Sequence, residues 1–226
     1  MTQFNYLTPR QPSGLLSLAD AARISASLLA GALAVLPTET GYMLAALATS
    51  PDAVELAFAA KRRPAAQVMH VACSSLEMAA TVGHAGARAA LVLGSLTPGP
   101  VTVVMPKTPL LPDRLVSVAG TVGIRVPDHP ATLQVISAVG APLTATSLNA
   151  SGAASAPMRD FDLGDLAWPA APPVFVVADD TSIRYQAAST LVRITDDDLE
   201  ILRPGAVPEA EIRRIAGPAR GAPGPA

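Results

Sequence analysis

Apolar residues recur along this chain in two periods, and the switches between them mark out its elements. Between Ser17 and Ala30 they fall at Ala21, Ile24, Leu28 and Leu29, the three-to-four spacing of one helix face. Ser17 and Asp20 are placed to cap that helix and Gly31 to end it. The run Leu33-Ala34-Val35-Leu36 has no polar interruption and reads as a buried strand. It stops at Pro37, which cannot donate to a sheet ladder. A second apolar run covers 42–48. Pro51-Asp52 then opens a helix that turns Val54, Ala57 and Phe58 inward and closes near Lys61, Arg62 and Arg63, before Pro64.

Further on, the pattern predicts a strand over 68–73 and helices over 75–82 and 85–93. The turn Thr97-Pro98-Gly99-Pro100 feeds a strand over 101–105, and a Pro-rich loop over 106–112 follows. A strand over 121–126 precedes a helix over 130–139 closed by Gly140. The strand 143–146 runs into a polar loop over 147–155, and 157–173 is Pro- and Asp-rich and reads as surface wrapping. Strands over 174–178, 189–194 and 200–202 and a helix over 209–215 complete the pattern. Helices and strands alternate early and strands dominate late, which favours an α/β fold with a mixed sheet. Residues 1–14, with Pro9, Pro12 and Gly14, are expected to be a flexible arm. Residues 15–216 read as one domain and 217–226 as a disordered tail.

Composition narrows the classes. Half of the 226 residues are hydrophobic, enough for a large core, and the 4% aromatic share makes that core one of Ala, Val and Leu. The net charge of −2 and pI near 5.9 argue against coating nucleic acid by bulk charge. One cysteine, Cys73, excludes an internal disulfide and a multi-cysteine zinc site, and its apolar neighbours make it a buried thiol. No charged n-region precedes an apolar segment at the start, and no apolar run reaches the ~20 residues of a membrane span. A cytoplasmic protein without membrane contact is expected.

The candidate chemistry gathers at strand ends. Thr38, Glu39 and Thr40 follow the first buried strand, where open α/β sheets place their sites. Lys61, Arg62 and Arg63 read either as a dipole-favoured helix end or as phosphate ligands. Arg125 sits inside an apolar strand, so it must reach water, an acid or a ligand. Asp128 and His129 beyond it read as turn residues. Ser147, Asn149, Ser151 and Ser155 make a dense set of short polar side chains able to form either a capped turn or an anion nest. No Gly-rich dinucleotide or Walker fingerprint occurs, and the three histidines make no metal signature.

Six segments then occur in a telling order: Pro37-Thr38-Glu39-Thr40-x-Tyr42, Lys61-x-Arg63-Pro64, Thr97-Pro98-Gly99-Pro100-Val101-Thr102, Arg125-Val126-Pro127-Asp128-His129-Pro130, Ser147-x-Asn149-x-Ser151-Gly152 and Ile201-Leu202-Arg203-Pro204-Gly205. Together they resemble the YrdC/TsaC family of L-threonylcarbamoyladenylate synthases over about residues 17–215. The resemblance implies a YrdC-like α/β fold, a twisted mixed sheet flanked by helices around a deep cleft. It implies synthesis of threonylcarbamoyl-AMP and pyrophosphate from L-threonine, bicarbonate and ATP, with Mg²⁺. Partner proteins would then pass the threonylcarbamoyl group to adenosine 37 of tRNA. By position, Lys61, Arg63, Gln67, Ser147, Asn149, Ser155 and Arg203 would bind ATP, with Lys61 and Arg63 catalytic. Thr40, Thr121, Arg125 and Ser189 would bind threonine, and no residue would hold a protein-bound metal.

The chain also departs from the family pattern. Met43 and Ala45 stand where the family has glycines, and Ala72 stands where it commonly has a histidine, with His70 two residues earlier and left unassigned. Leu148 replaces a small residue. These changes frame an alternative: a paralogue with carbamoyl-adenylate chemistry shared with a partner, or one that only binds nucleotide or RNA.

Overall fold

The structure is a computed structural model and describes residues 2–64, 67–117, 119–148, 163, 166–170, 172–179, 181 and 183–219. In chain order the elements are β1 (Phe4–Leu7), α1 (Leu18–Leu29), β2 (Ala34–Thr38), β3 (Gly41–Ala45), α2 (Pro51–Ala60), β4 (His70–Ala72), α3 (Leu76–Val82), α4 (Ala87–Leu96), β5 (Val101–Pro106), a 3-10 turn (Asp113–Leu115), β6 (Thr121–Arg125), α5 (Pro130–Val139), β7 (Leu143–Ser147), β8 (Val174–Val177), β9 (Thr190–Ile194), β10 (Leu199–Arg203) and α6 (Glu209–Ala216). Local chemistry accounts for many of the boundaries. Ser17, Ser50 and Ser75 each accept a backbone N–H at the start of α1, α2 and α3. Gly140 ends α5 at φ 69°, where a side chain would be strained.

Among the described residues the strands join one mixed sheet in the order β1-β8-β2-β3-β7-β4-β6-β5-β9-β10. The expected mixed α/β sheet is what forms: β2–β3 and β5–β6 pair antiparallel, while β4–β6 and β5–β9 pair parallel. Strand alternation splits the core in two. Ala34, Leu36, Met43, Ala45, Ala72 and Leu143 pack with α1 and α5 on one face, through Ile24, Leu28, Val135 and Ile136. Leu33, Val35, Leu44, Val71 and Cys73 face the opposite way, toward α2, α3, α4 and α6.

Three expectations need correction. The arm expected over 1–14 contains β1, which pairs in parallel with β8 because Phe4, Tyr6 and Leu7 suit an edge strand. Leu29 is 53% exposed; adjacent to Leu28, it lies about 100° round the helix, and Ser25 takes the buried place. Pro37 does not end β2, which runs on to Thr38. Pro37 pairs with Tyr42, yet its carbonyl accepts from Thr132 Oγ1 at 2.5 Å on the side away from β3, so the missing N–H costs that ladder nothing. Of the segment expected as a tail, residues 220–226 lie outside the described residues.

Candidate active site

The α1–α5 layer leaves part of its sheet face open, and there the same alternation that builds the core builds a cleft. Thr38 continues the β2 positions of Ala34 and Leu36, Ser147 continues those of Leu143 and Ala145 on β7, and His70 shares a face with Ala72 on β4. Arg125 at the end of β6, Ser189 before β9 and Arg203 at the end of β10 complete the lining, with Thr40, Gly41 and Met43 from the β2–β3 hairpin. A contiguous smaller recess adds Arg63, Val68 and Thr146.

The end of α2 delivers two of the cations. The Arg62 N–H donates to the carbonyl of Ala59 and the Arg63 N–H to that of Phe58, with Arg62 at φ 47°. This is a Schellman turn with an arginine in the left-handed position that glycine favours. Lys61 Nζ donates to the Ser147 carbonyl at 2.5 Å, and Arg63 Nη1 to Thr146 Oγ1 at 3.1 Å. Burial, and then the Arg63 charge, lowers the Lys61 ammonium from 10.5 to about 8. Burial also lowers Arg63, with Arg114 adding to it, and lowers Arg203, with Arg125 adding to it.

Arg125 is held differently. Its Nη2 lies 2.5 Å from Glu39 Oε1, and Glu39 Oε2 accepts the Asp128 N–H at 2.9 Å. Both terminal nitrogens of Arg125 lie 3.4 Å from Thr40 Oγ1. Arg203 Nη2 donates to the Ser189 carbonyl at 2.9 Å and to Ser189 Oγ at 3.2 Å, and Ser189 Oγ shares a 2.8 Å bond with Thr102. The Nε atoms of Arg63, Arg125 and Arg203 are buried without a partner. Among the described residues no acidic side chain lines either part of the cleft. The site is therefore built for an anion.

The structure brings together Thr40, Arg125, Ser189, Arg203, Ser147 and Arg63, with Lys61 reaching the cleft wall through Ser147. It does not bring in Thr121, whose Oγ1 is 2.7 Å from Ser117 and which sits four residues, about 13 Å, down β6 from Arg125. Nor does it bring in Gln67, which is exposed; its carbonyl accepts from Arg114 outside the cleft. Asn149, Ser151, Gly152 and Ser155 lie outside the described residues.

Two residues carry more than the sequence assigned. His70 lines the cleft while Ala72 is core, and burial, helped by Arg203, Arg63 and Arg125, pushes the imidazole down to about 3. Gly123 makes room for it: a Cβ there would lie 2.8 Å from His70 Cδ2. The two-residue offset from Ala72 was the available signal, since both positions share a strand face. His129, expected in a turn, is the N-cap residue of α5 and fully buried beside Asp179, its Nε2 3.3 Å from the carboxylate. Of the altered glycine positions, Ala45 belongs to the core, whereas Met43 also reaches the cleft floor. Burial pushes the Cys73 thiol up to about 12, as befits an inert core residue.

An arginine-lined cleft on the open face of a mixed α/β sheet is suited to a small anionic ligand. A profile of the Sua5/YciO/YrdC family, described as telomere recombination, matches residues 26–205, and the chain belongs to that family. It is 32% identical over 200 residues to a threonylcarbamoyl-AMP synthase of Bacillus subtilis, covering 87% of this chain and 56% of that protein. A Pyrococcus abyssi protein of the same name is 31% identical over 200 residues, with coverage of 88% and 58%. The chain thus spans little more than half the length of these relatives. The crystal structure of P. abyssi Sua5 complexed with L-threonine superposes with a TM-score of 0.83 at 27% identity, over 97% of this chain and 62% of that one.

Proposed function

We propose that this chain carries out threonylcarbamoyl-AMP synthesis: L-threonine, bicarbonate and ATP are joined to give threonylcarbamoyl-AMP and pyrophosphate, for transfer to adenosine 37 of tRNA by other proteins in the cytoplasm. The observation that carries this reading is the convergence of Arg63, Arg125 and Arg203 on one cleft with no acidic lining residue among the described ones. The relatives' names supply the product and the L-threonine complexed with P. abyssi Sua5 one substrate, and ATP follows from the adenylate in that product.

The chemistry suits the geometry. Threonine's amine condenses with bicarbonate to a carbamate, releasing water. A carbamate oxygen then attacks the α-phosphorus; a new P–O bond forms as the bond to the β-phosphate breaks, and pyrophosphate leaves with the electron pair. The step needs alignment and charge neutralisation more than a strong base. Arg63, Arg203 and Lys61 hold the phosphates, and Arg125, Thr40 and Ser189 hold the amino acid. His70, kept neutral, adds no charge at the boundary. Among the described residues no group of three or more His, Cys, Asp or Glu side chains could hold a metal. Magnesium enters here as part of the nucleotide substrate, on its phosphates.

The test is pyrophosphate release with ATP, bicarbonate and Mg²⁺, with and without L-threonine. Threonine-dependent release that falls about 100-fold in Arg63→Ala and Arg125→Ala is expected. Met43 on the cleft floor favours one rival, a paralogue with a changed amino acid. Release driven by a smaller amino acid and not by threonine would establish it.

A further inference from the structure

The three cleft arginines are not equivalent. Arg63 is held by the Thr146 hydroxyl and Arg203 by the carbonyl and hydroxyl of Ser189, all uncharged acceptors. Arg125 is held by the carboxylate of Glu39. Glu39 is wholly buried and does not line the cleft, so it acts on a ligand through its charge and through Arg125. It is fixed from three sides: Oε1 by Arg125, Oε2 by the Asp128 N–H, and its backbone carbonyl by the N–H groups of Arg184 at 3.0 Å and Tyr185 at 3.1 Å. The Arg184 guanidinium nearby is itself paired with Asp128 at the surface. Among the described residues, the cleft therefore has one arginine paired with a carboxylate and two that are not.

We propose that Glu39 is a positioning residue that partitions the cleft by charge: it balances Arg125, reserving that end for a single carboxylate, and leaves the polyanion to Arg63 and Arg203, with Lys61 beside them. This rests on the synthase reading and explains how one cationic cleft keeps an amino acid and a triphosphate in order. A carboxylate needs the fork of Arg125 and the Thr40 hydroxyl. A polyphosphate needs net positive charge, which in a poorly solvated site is what Glu39 removes.

Calorimetric titration of inorganic pyrophosphate into the wild-type protein and Glu39→Gln tests the partition. The wild type is expected to bind one equivalent, competing with ATP and not with L-threonine. Glu39→Gln is expected to bind two, the second competing with threonine. A single equivalent in Glu39→Gln, or two in the wild type, overturns the proposal. Should Glu39→Gln not fold by circular dichroism, Arg63→Gln/Arg203→Gln carries the test. With Arg125 still balanced, pyrophosphate affinity should fall at least 30-fold, and retained affinity overturns the proposal. The stoichiometry does not depend on turnover. Absence of threonine-dependent pyrophosphate release would sink the synthase reading, while the equivalents bound still decide the partition.

Discussion

Lys61 Nζ donates to the backbone carbonyl of Ser147, tying the end of α2 to the end of β7 across the cleft wall. Burial, and then the Arg63 charge beside it, lowers the ammonium from 10.5 to about 8. A lysine whose pKa is lowered by folding loses its proton in the folded state first. Stability of the ligand-free protein should therefore rise between about pH 8 and 10.5, where the unfolded chain still holds the proton. Polyanion binding should move oppositely, weakening by up to roughly tenfold per pH unit above 8. In Lys61→Arg, which stays charged, that dependence should vanish. ATP binding measured from about pH 7 to 9.5 checks both.

Arg62 occupies the left-handed position of the α2 Schellman turn at φ 47° and points to solvent. Arg62→Gly relieves that conformation and should stabilise the protein by about 1 kcal/mol. Turnover should be unchanged, because the flanking Lys61 and Arg63 keep their places. Chemical denaturation alongside a pyrophosphate assay reads the two effects separately.

Gly123 is the floor under His70. A methyl group there would lie 2.8 Å from His70 Cδ2 and 3.0 Å from Thr102 Cγ2. Gly123→Ala should displace the imidazole into the cleft and cost about 1–3 kcal/mol of stability. The KM for threonine should rise more than the KM for ATP.

Gly205 supports Ser189 and Arg203 from behind. A Cβ there meets backbone, the Ala188 carbonyl oxygen at 2.4 Å and the Thr190 nitrogen at 2.5 Å, and neither can swing away. Gly205→Ala should destabilise by about 3 kcal/mol and weaken both substrates, unlike Gly123→Ala. Thermal melts and paired KM values distinguish the two.

The strand and helix pattern was legible where periodicity was unbroken. The α5 bounds, 130–139 closed by Gly140, follow from Pro130 at one end and a left-handed glycine at the other. β1 was not legible because Pro9, Pro12 and Gly14 drown four residues whose pairing partner lies about 170 positions away in β8. In the site, the order of short segments exposed Arg63 and Arg203, while Arg125 also stood out as a cation inside an apolar strand. Glu39 was visible as a carboxylate but not as the partner of Arg125, since that pairing spans 86 residues and exists only once β2 and β6 are folded. Thr121 and Gln67 matched by position in the chain, but the Thr121 hydroxyl bonds Ser117 and Gln67 lies exposed, outside the cleft lining.

The most direct measurement is the product itself: incubation of the protein with L-threonine, ATP, Mg²⁺ and isotopically labelled bicarbonate, followed by mass spectrometry of the nucleotides. Threonylcarbamoyl-AMP carrying the label, formed by the wild type and lost in Arg125→Ala, is the expected result. ATP consumed without a labelled threonine adduct, or adduct formed equally well by Arg125→Ala, would contradict it.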